Sequence, residues 1–210
     1  MIIKWFGHSC FGVENGIKIL MDPFNKNVGY PIPNYQPDII TESHQHFDHN
    51  AHHLFKNKFV LINTPGNHIL NNLEITGLKT YHDKTHGHER GENIIFKFEF
   101  SDGIKLAHCG DLGHIPDKDT LKELEDIDII MIPVGGYYTI DAKQAKEIVD
   151  ILKPKIIIPM HYKTNFIDFP ISFVDEFIDL FDIPIIRVEE EFHIEGINET
   201  KIVVFKIKEV

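Results

Sequence analysis

Cysteine is almost missing from this chain: two residues, Cys10 and Cys109, in 210. That excludes a disulfide framework, reads both as core or near-site thiols, and makes a cytoplasmic setting the default expectation. Long apolar runs are missing as well. No stretch approaches the roughly 20 apolar residues of a membrane span, and the start, Met1 to His8, has no basic region followed by an apolar run, so no signal peptide is read. Positive charge is in deficit, with 21 Lys and Arg against 32 Asp and Glu and a net of −11. A field of that sign works against general binding of nucleic acid or of an anionic membrane. Bound metal would reverse the sign locally, so a small anionic substrate stays compatible with it. Gly135-Gly136 is no phosphate-binding loop by itself, and no Gly-x-x-x-x-Gly-Lys or Rossmann fingerprint occurs in the right setting.

What is present is an ordinary folding composition, 42% hydrophobic with 16 Phe, and no linker-like or low-complexity tract. Residues 1–210 therefore read as a single domain with an aromatic-rich core. Short β-rich runs open the chain: Ile2 to Phe6, Cys10 to Glu14 and Ile17 to Met21, with Asn15-Gly16 as a hairpin signal. A Pro-bearing loop leads to a buried-looking run, Asp38 to Thr41. Further strands are expected at Phe59 to Asn63, Leu73 to Tyr81, Ile94 to Phe100 and Ile104 to His108. After Asp111 strands alternate with helices. Asp128 to Pro133, Lys155 to Pro159, Pro184 to Val188 and Ile202 to Ile207 read as strands, Asp141 to Leu152 and Ser172 to Phe181 as amphipathic helices. Asp141 and Gln144 are spaced as a capping box. The helices must cover sheet faces, which gives a layered α/β arrangement.

Histidine is abundant, 14 residues, and its arrangement carries the chemistry. The stretch Thr41-Glu42-Ser43-His44-Gln45-His46-Phe47-Asp48-His49 follows an expected strand. On an extended loop, residues two apart lie on one side, so His44 and His46 can bind one ion. Asp48 and His49 lie further round the turn and can address a second. Three nitrogen ligands with an open fourth position describe a catalytic rather than a structural zinc. The competing reading is a polar helix cap with solvent-facing histidines.

The pattern His-x-His-x-Asp-His after a strand resembles the metallo-β-lactamase superfamily, and in particular its branch of small metal-dependent hydrolases around the ascorbate-phosphate lactonase. Trp5-Phe6-Gly7-His8-Ser9-Cys10 is similar to that branch's opening strand and turn. Met21-Asp22-Pro23 is similar to its early Asp, Cys109-Gly110-Asp111 to its later Gly-Asp, and Ile158-Pro159-Met160-His161-Tyr162 to its last metal histidine. The resemblance implies a four-layer αββα fold, two mixed β-sheets flanked by helices, with two divalent metal ions at the sheet edges. It implies His44, His46 and His82 on one ion, Asp48, His49 and His161 on the other, and Asp111 bridging. His82 is the choice for the third histidine against His86, His88 and His108. Zinc is favoured by frequency; manganese and iron suit the same donors. Asp22 is expected to fix the second nitrogen of a ligand imidazole. His8 stands open between facing the site and capping its turn. Tyr137, Thr139, Tyr162 and Lys163 stand open between substrate contact and ordinary packing or solvation.

The expected function is metal-dependent hydrolysis. Two ions about 3.5–4 Å apart would share a bridging hydroxide that cleaves a small ester, lactone or phosphodiester. Asp48 and Asp111 are the carboxylates expected to serve the reaction. Two other readings compete: a di-iron oxidoreductase-type member, and a non-catalytic metal-binding protein. The partner expected is a small molecule, without membrane or nucleic acid; the sequence leaves the oligomeric state open.

Overall fold

Alternation along the first strands sorts their side chains between two hydrophobic cores. Ile3, Phe11, Val13, Ile19, Met21 and Ile39 face one core, while Cys10, Leu20 and Ile40, the residues between them, face another. The computed structural model describes residues 1–70 and 72–206. In chain order its strands are β1 (Ile2–Gly7), β2 (Cys10–Glu14), β3 (Lys18–Met21), β4 (Ile39–Thr41), β5 (Val60–Ile62), β6 (Gly66–Leu70) and β7 (Leu73–Tyr81). There follow β8 (Glu92–Glu99), β9 (Lys105–His108), helix α1 (Lys118–Glu123), β10 (Ile129–Pro133), helix α2 (Ala142–Leu152) and β11 (Ile156–Met160). Helix α3 (Asp175–Ile178), β12 (Ile185–Val188), β13 (Glu191–His193) and β14 (Lys201–Phe205) complete it. Ile207, the expected end of the last strand, lies outside the described residues.

The strands form two mixed sheets, ordered β13-β1-β2-β3-β4-β5 and β12-β14-β11-β10-β9-β8-β7-β6. Both carry parallel and antiparallel pairs. In the first sheet β1 and β3 flank the antiparallel β2, and β4 and β5 run parallel to β3. In the second, β9, β10, β11, β14 and β12 are parallel, while β8 reverses direction so that β7 again runs with β9. Phe96, Phe98, Met131 and the isoleucines of β10 and β11 fill the main core with the inner residues of the first sheet. Helix α2 adds Ala145, Ile148 and Val149 to the same core. It begins at the expected capping box, Asp141 accepting from the Gln144 amide at 2.9 Å, a cap of about 1 kcal/mol.

The helical layers are thin. Among the described residues the longest helix has 11 residues, and none is long and apolar enough to cross a membrane. The outer face of the first sheet is covered by the 3-10 turn Lys26–Val28 and by loop residues such as Phe55, Phe166, Ile167 and Ile171. Pro23, Pro31, Pro33 and Pro37 between β3 and β4 deny that segment a regular helix. The helix expected over Ser172 to Phe181 shortens to Asp175–Ile178. Its first residues are drawn elsewhere: the Ser172 amide donates to Gly135 O at 2.8 Å, and Phe173 forms a bridge with Lys163 and stays exposed.

Candidate metal centre

Each candidate residue follows the carboxyl end of a strand. His8 follows β1, Asp22 follows β3, the segment Glu42 to His49 leaves β4, His82 follows β7, Asp111 lies just beyond β9, and His161 follows β11. Because β1, β3 and β4 share one direction, and β7, β9 and β11 share another within their sheet, the loops gather at one edge of the sandwich. Open α/β sheets generally bind ligands at such strand ends. The two sheets are laced together there by backbone bonds, Ile94 N–H to Ser43 O at 2.9 Å and His161 N–H to His8 O at 3.3 Å.

Two groups of donor atoms converge around Asp111. His44, His46 and His82 bring one ring nitrogen each within 4.8 Å of one another, and so do His8, His49, Asp111 and His161 with one ligand atom apiece. The Asp111 carboxylate lies between the groups. Its Oδ2 is 3.1 Å from His82 Nε2 and 3.3 Å from His161 Nε2, and its Oδ1 is 3.2 Å from His49 Nε2. Asp48 stands at the rim of the second group, 3.3 Å from His8 Nε2 and 3.8 Å from His49 Nε2. The structure thus brings together all seven residues expected from the sequence, and adds His8. Of the rivals to His82, His86 is exposed against Tyr81 and His88 is exposed. His108 is buried and occupied at both nitrogens, by Ser9 O at 2.8 Å and the Gly110 amide at 3.3 Å.

Buried Asp22 orients two of the imidazoles. Its Oδ2 accepts from His49 Nδ1 at 2.8 Å and from the Ser43 hydroxyl at 2.6 Å, and its Oδ1 from the Ser43 amide at 2.7 Å. Ser43 Oγ in turn stands 3.0 Å from His44 Nδ1. With Nδ1 engaged in both rings, the Nε2 lone pairs of His44 and His49 are left for the centre. Among the described residues neither Nε2 has a hydrogen-bond partner, although both are buried; the same holds for His8 at both nitrogens and for Asp111 Oδ1. Buried polar atoms are seldom left so, and as a set of imidazole and carboxylate donors they fit a divalent cation. Glu42 ties down the ends of the His loop, accepting from His52 Nδ1 at 2.6 Å and from Gln45 Nε2 at 3.2 Å. Asn93 does the same for the Asp111 turn. Its Oδ1 accepts the Asp111 amide at 3.0 Å while its Nδ2 donates to Cys109 O and Thr80 Oγ1, both at 2.9 Å. Gly110 beside it has φ 55°, and a Cβ there would collide with Asn93 and Ser43.

The electrostatics favour the ligand forms of His44, His8 and Asp111. Burial pushes His44 down to about 3 and His8 down to about 4, so both rings are neutral at pH 7. Burial opposes ionisation of Asp111, yet His161, His49 and His82 hold it well below the usual carboxylate range. His49 is the exception: burial disfavours its charge, but Asp111, Asp48 and Asp22 raise it well above its ordinary value, so its ring holds a proton that a bound cation would displace. So much buried negative charge calls for a compensating cation.

A cavity of about 350 Å³ opens onto the centre, with His46, Asp48, His82, Asp111 and His161 in its wall. Phe47, Arg90, Tyr138 and Phe169 line the rest. Arg90, Tyr138 and Phe169 carry no signal in the sequence, because none belongs to a motif; Phe47 fills an unspecified position inside the His segment. A cavity of about 450 Å³ at the β2–β3 turn includes none of the centre's residues among its described lining. The residues left open between substrate contact and packing turn out to pack or to make local bonds. Tyr162 is buried against Trp5 and donates to Phe205 O at 2.9 Å, Thr139 donates to Ile140 O, and Lys163 donates to Phe169 O. Tyr137 is exposed beside Tyr138.

Comparison with known proteins agrees with this geometry. Residues 2–161 match the family model described as a Beta-lactamase superfamily domain. A crystal structure of a Thermotoga maritima protein, titled a candidate Zn-dependent hydrolase of the metallo-β-lactamase superfamily, is 44% identical, covers 99% of both chains and superposes with a TM-score of 0.86. Proteins named metal-dependent hydrolases are 31% identical in Pyrobaculum islandicum, over 78% of this chain and 85% of the relative, and 29% identical in Thermoplasma volcanium, over 77% and 83%. Fold, donor set and relatives agree: the chain belongs to the metallo-β-lactamase superfamily and is one of its metal-dependent hydrolases.

Proposed function

We propose that the protein hydrolyses a small ester, lactone or phosphodiester at a pair of divalent metal ions. His44, His46 and His82 would hold one, Asp48, His49 and His161 the other, with Asp111 shared between them. The observation that carries this reading is the pair of donor groups on either side of Asp111, with their buried, unpartnered nitrogens. When bound, such a pair of ions makes a water acidic enough to lose a proton near neutral pH and polarises the scissile carbonyl or phosphoryl oxygen. The chain's own residues supply orientation. Asp48, half-buried at the cavity wall, is kept ionised: burial works against its charge, but His49 and His8 hold it well below the usual range. It is therefore an acceptor that can align an attacking water. Phe47, Tyr138 and Phe169 give the substrate an apolar seat and limit bulk water around the reacting bond. Zinc is the metal we put first, manganese and iron suiting the same donors. Two free buried thiols fit a cytoplasmic setting.

Elemental analysis of the purified protein, then an assay of the metal-loaded protein on ester, lactone and phosphodiester panels, tests the reading. Turnover that disappears on chelation and returns on reloading is the expected result. His46→Ala and Asp111→Ala should each lose metal while circular dichroism still reports a folded chain. Full metal content in both variants would overturn the ligand assignment. Absence of turnover on every panel would overturn the substrate class.

A further inference from the structure

Within the described cavity wall, one side chain carries a fixed positive charge. Arg90 lies among Phe47, Tyr138 and Phe169, with its guanidinium carbon 5.8 Å from the centre of the Tyr138 ring. It is a third exposed, and among the described residues its nearest carboxylate, on the exposed Glu89, is 3.9 Å away, too far for a hydrogen bond. A guanidinium resting on an aromatic face keeps its N–H edge free, and that edge matches the two oxygens of a carboxylate or a phosphoryl group.

The backbone that carries Arg90 is also fixed before any ligand arrives. Asp83, directly after His82, gathers the loop around one carboxylate. Its Oδ1 accepts from the Thr85 amide, the Thr85 hydroxyl and the Gly87 amide at 2.8–2.9 Å. Its Oδ2 accepts from the Glu89 amide at 3.0 Å and the Arg90 amide at 2.7 Å. The loop is then closed by His82 N–H to Gly91 O at 3.0 Å and Gly91 N–H to Gly87 O at 3.1 Å. The segment that presents Arg90 thus starts at a residue of the metal centre and is tied back beside it. Such preorganisation lowers the ordering cost of binding.

We propose that Arg90 is the anion-recognition residue of the cavity, and that the substrate carries an oxyanion, carboxylate or phosphoryl, beside a small apolar body. The apolar part lies on Phe47 and Phe169, the oxyanion meets the guanidinium, and the bond to be cleaved faces the histidines. This rests on the hydrolase reading above for the position of that bond. In a chain of net charge −11, the placement selects among small anions instead of drawing polyanions to the surface at large.

The test compares kcat/KM of the metal-loaded protein on phenyl acetate, 3-acetoxybenzoate and 3-acetoxyphenylphosphonate. The wild type should prefer at least one anionic ester by about tenfold or more, the discrimination a charge-assisted hydrogen bond supplies. Arg90→Met should collapse that ratio towards one at unchanged metal content, and Arg90→Lys should retain part of it. Which anionic ester leads distinguishes a carboxylate from a phosphoryl substrate. No preference in the wild type, or the same preference in Arg90→Met, would overturn the proposal while leaving the hydrolase reading intact. If no ester is turned over, calorimetric titration with benzoate, phenylphosphonate and benzyl alcohol reads the subsite on its own. A tenfold or greater loss of anion affinity in Arg90→Met then supports it, and equal affinities reject it.

Discussion

Asp22 has no exposed surface, yet it stays charged: burial opposes the charge, and His49, His108 and His44 keep its pKa below the usual value. Through one bond to His49 and a relay over Ser43 to His44 it sets the tautomer of two rings at once. Asp22→Asn keeps the size and tolerates the left-handed backbone at this position, but deletes the charge. Metal affinity should fall about 10–100-fold, read by competition with a chromophoric chelator; undiminished affinity would mean that the loops alone orient the rings. At this scale the sequence was informative where chemistry is contiguous. His44 to His49 lie in one short segment, so spacing alone reveals them. Asp111, His82 and His161 emerged only through the family pattern. His8 stayed open because a single histidine after a glycine has no spacing to read. Arg90 and Asn93 gave no signal, since each matters through what a distant turn brings beside it.

At the scale of elements, strands with a buried face were legible, and β2 and β7 have the bounds read from the sequence. Two strands went unread, β6 and β13. Both are mostly exposed, so their residues show no apolar alternation. Helix α1 buries no residue and left no stripe to find. The loop after β7 makes two predictions. Asp83→Asn replaces acceptor oxygen by an amide group facing N–H donors, and should cost about 1–3 kcal/mol in urea denaturation. Burial opposes Asp83's charge, but bonds from Arg90, Gly87 and Thr85 hold its folded pKa well below the unfolded value. Its contribution is therefore fully present above about pH 4, the unfolded carboxylate pKa, and is lost as pH falls through the lower folded value. The stability gap between wild type and Asp83→Asn should be flat from neutral pH to about pH 4 and shrink below it. Gly135 gives the second element-scale test. A Cβ there would overlap the carbonyl oxygen of His161, so Gly135→Ala should displace that histidine and lower metal content, measured by elemental analysis.

For the molecule as a whole, the centre draws its donors from both sheets: His8 and His44 to His49 from one, His82, Asp111 and His161 from the other. A cation held there resists separation of the halves. Metal at a hundredfold excess over its dissociation constant adds about 2.7 kcal/mol to stability. For a chain of this length that amounts to a Tm about 5–10 °C lower in chelator than in metal. Asp111→Ala should melt at the same temperature in both. An equal chelator effect in the variant would place the stabilising ion elsewhere.

His8, Asp22 and His161 all adopt left-handed backbone, with φ of 54°, 46° and 52°. For side chains other than glycine this costs about 1 kcal/mol or more at each position. Each lies at the point where a strand ends and the chain must swing abruptly to aim its side chain inward. The strain is borne where it aims a side chain at the centre; glycine there would relieve it but also forfeit the stability that a held cation adds.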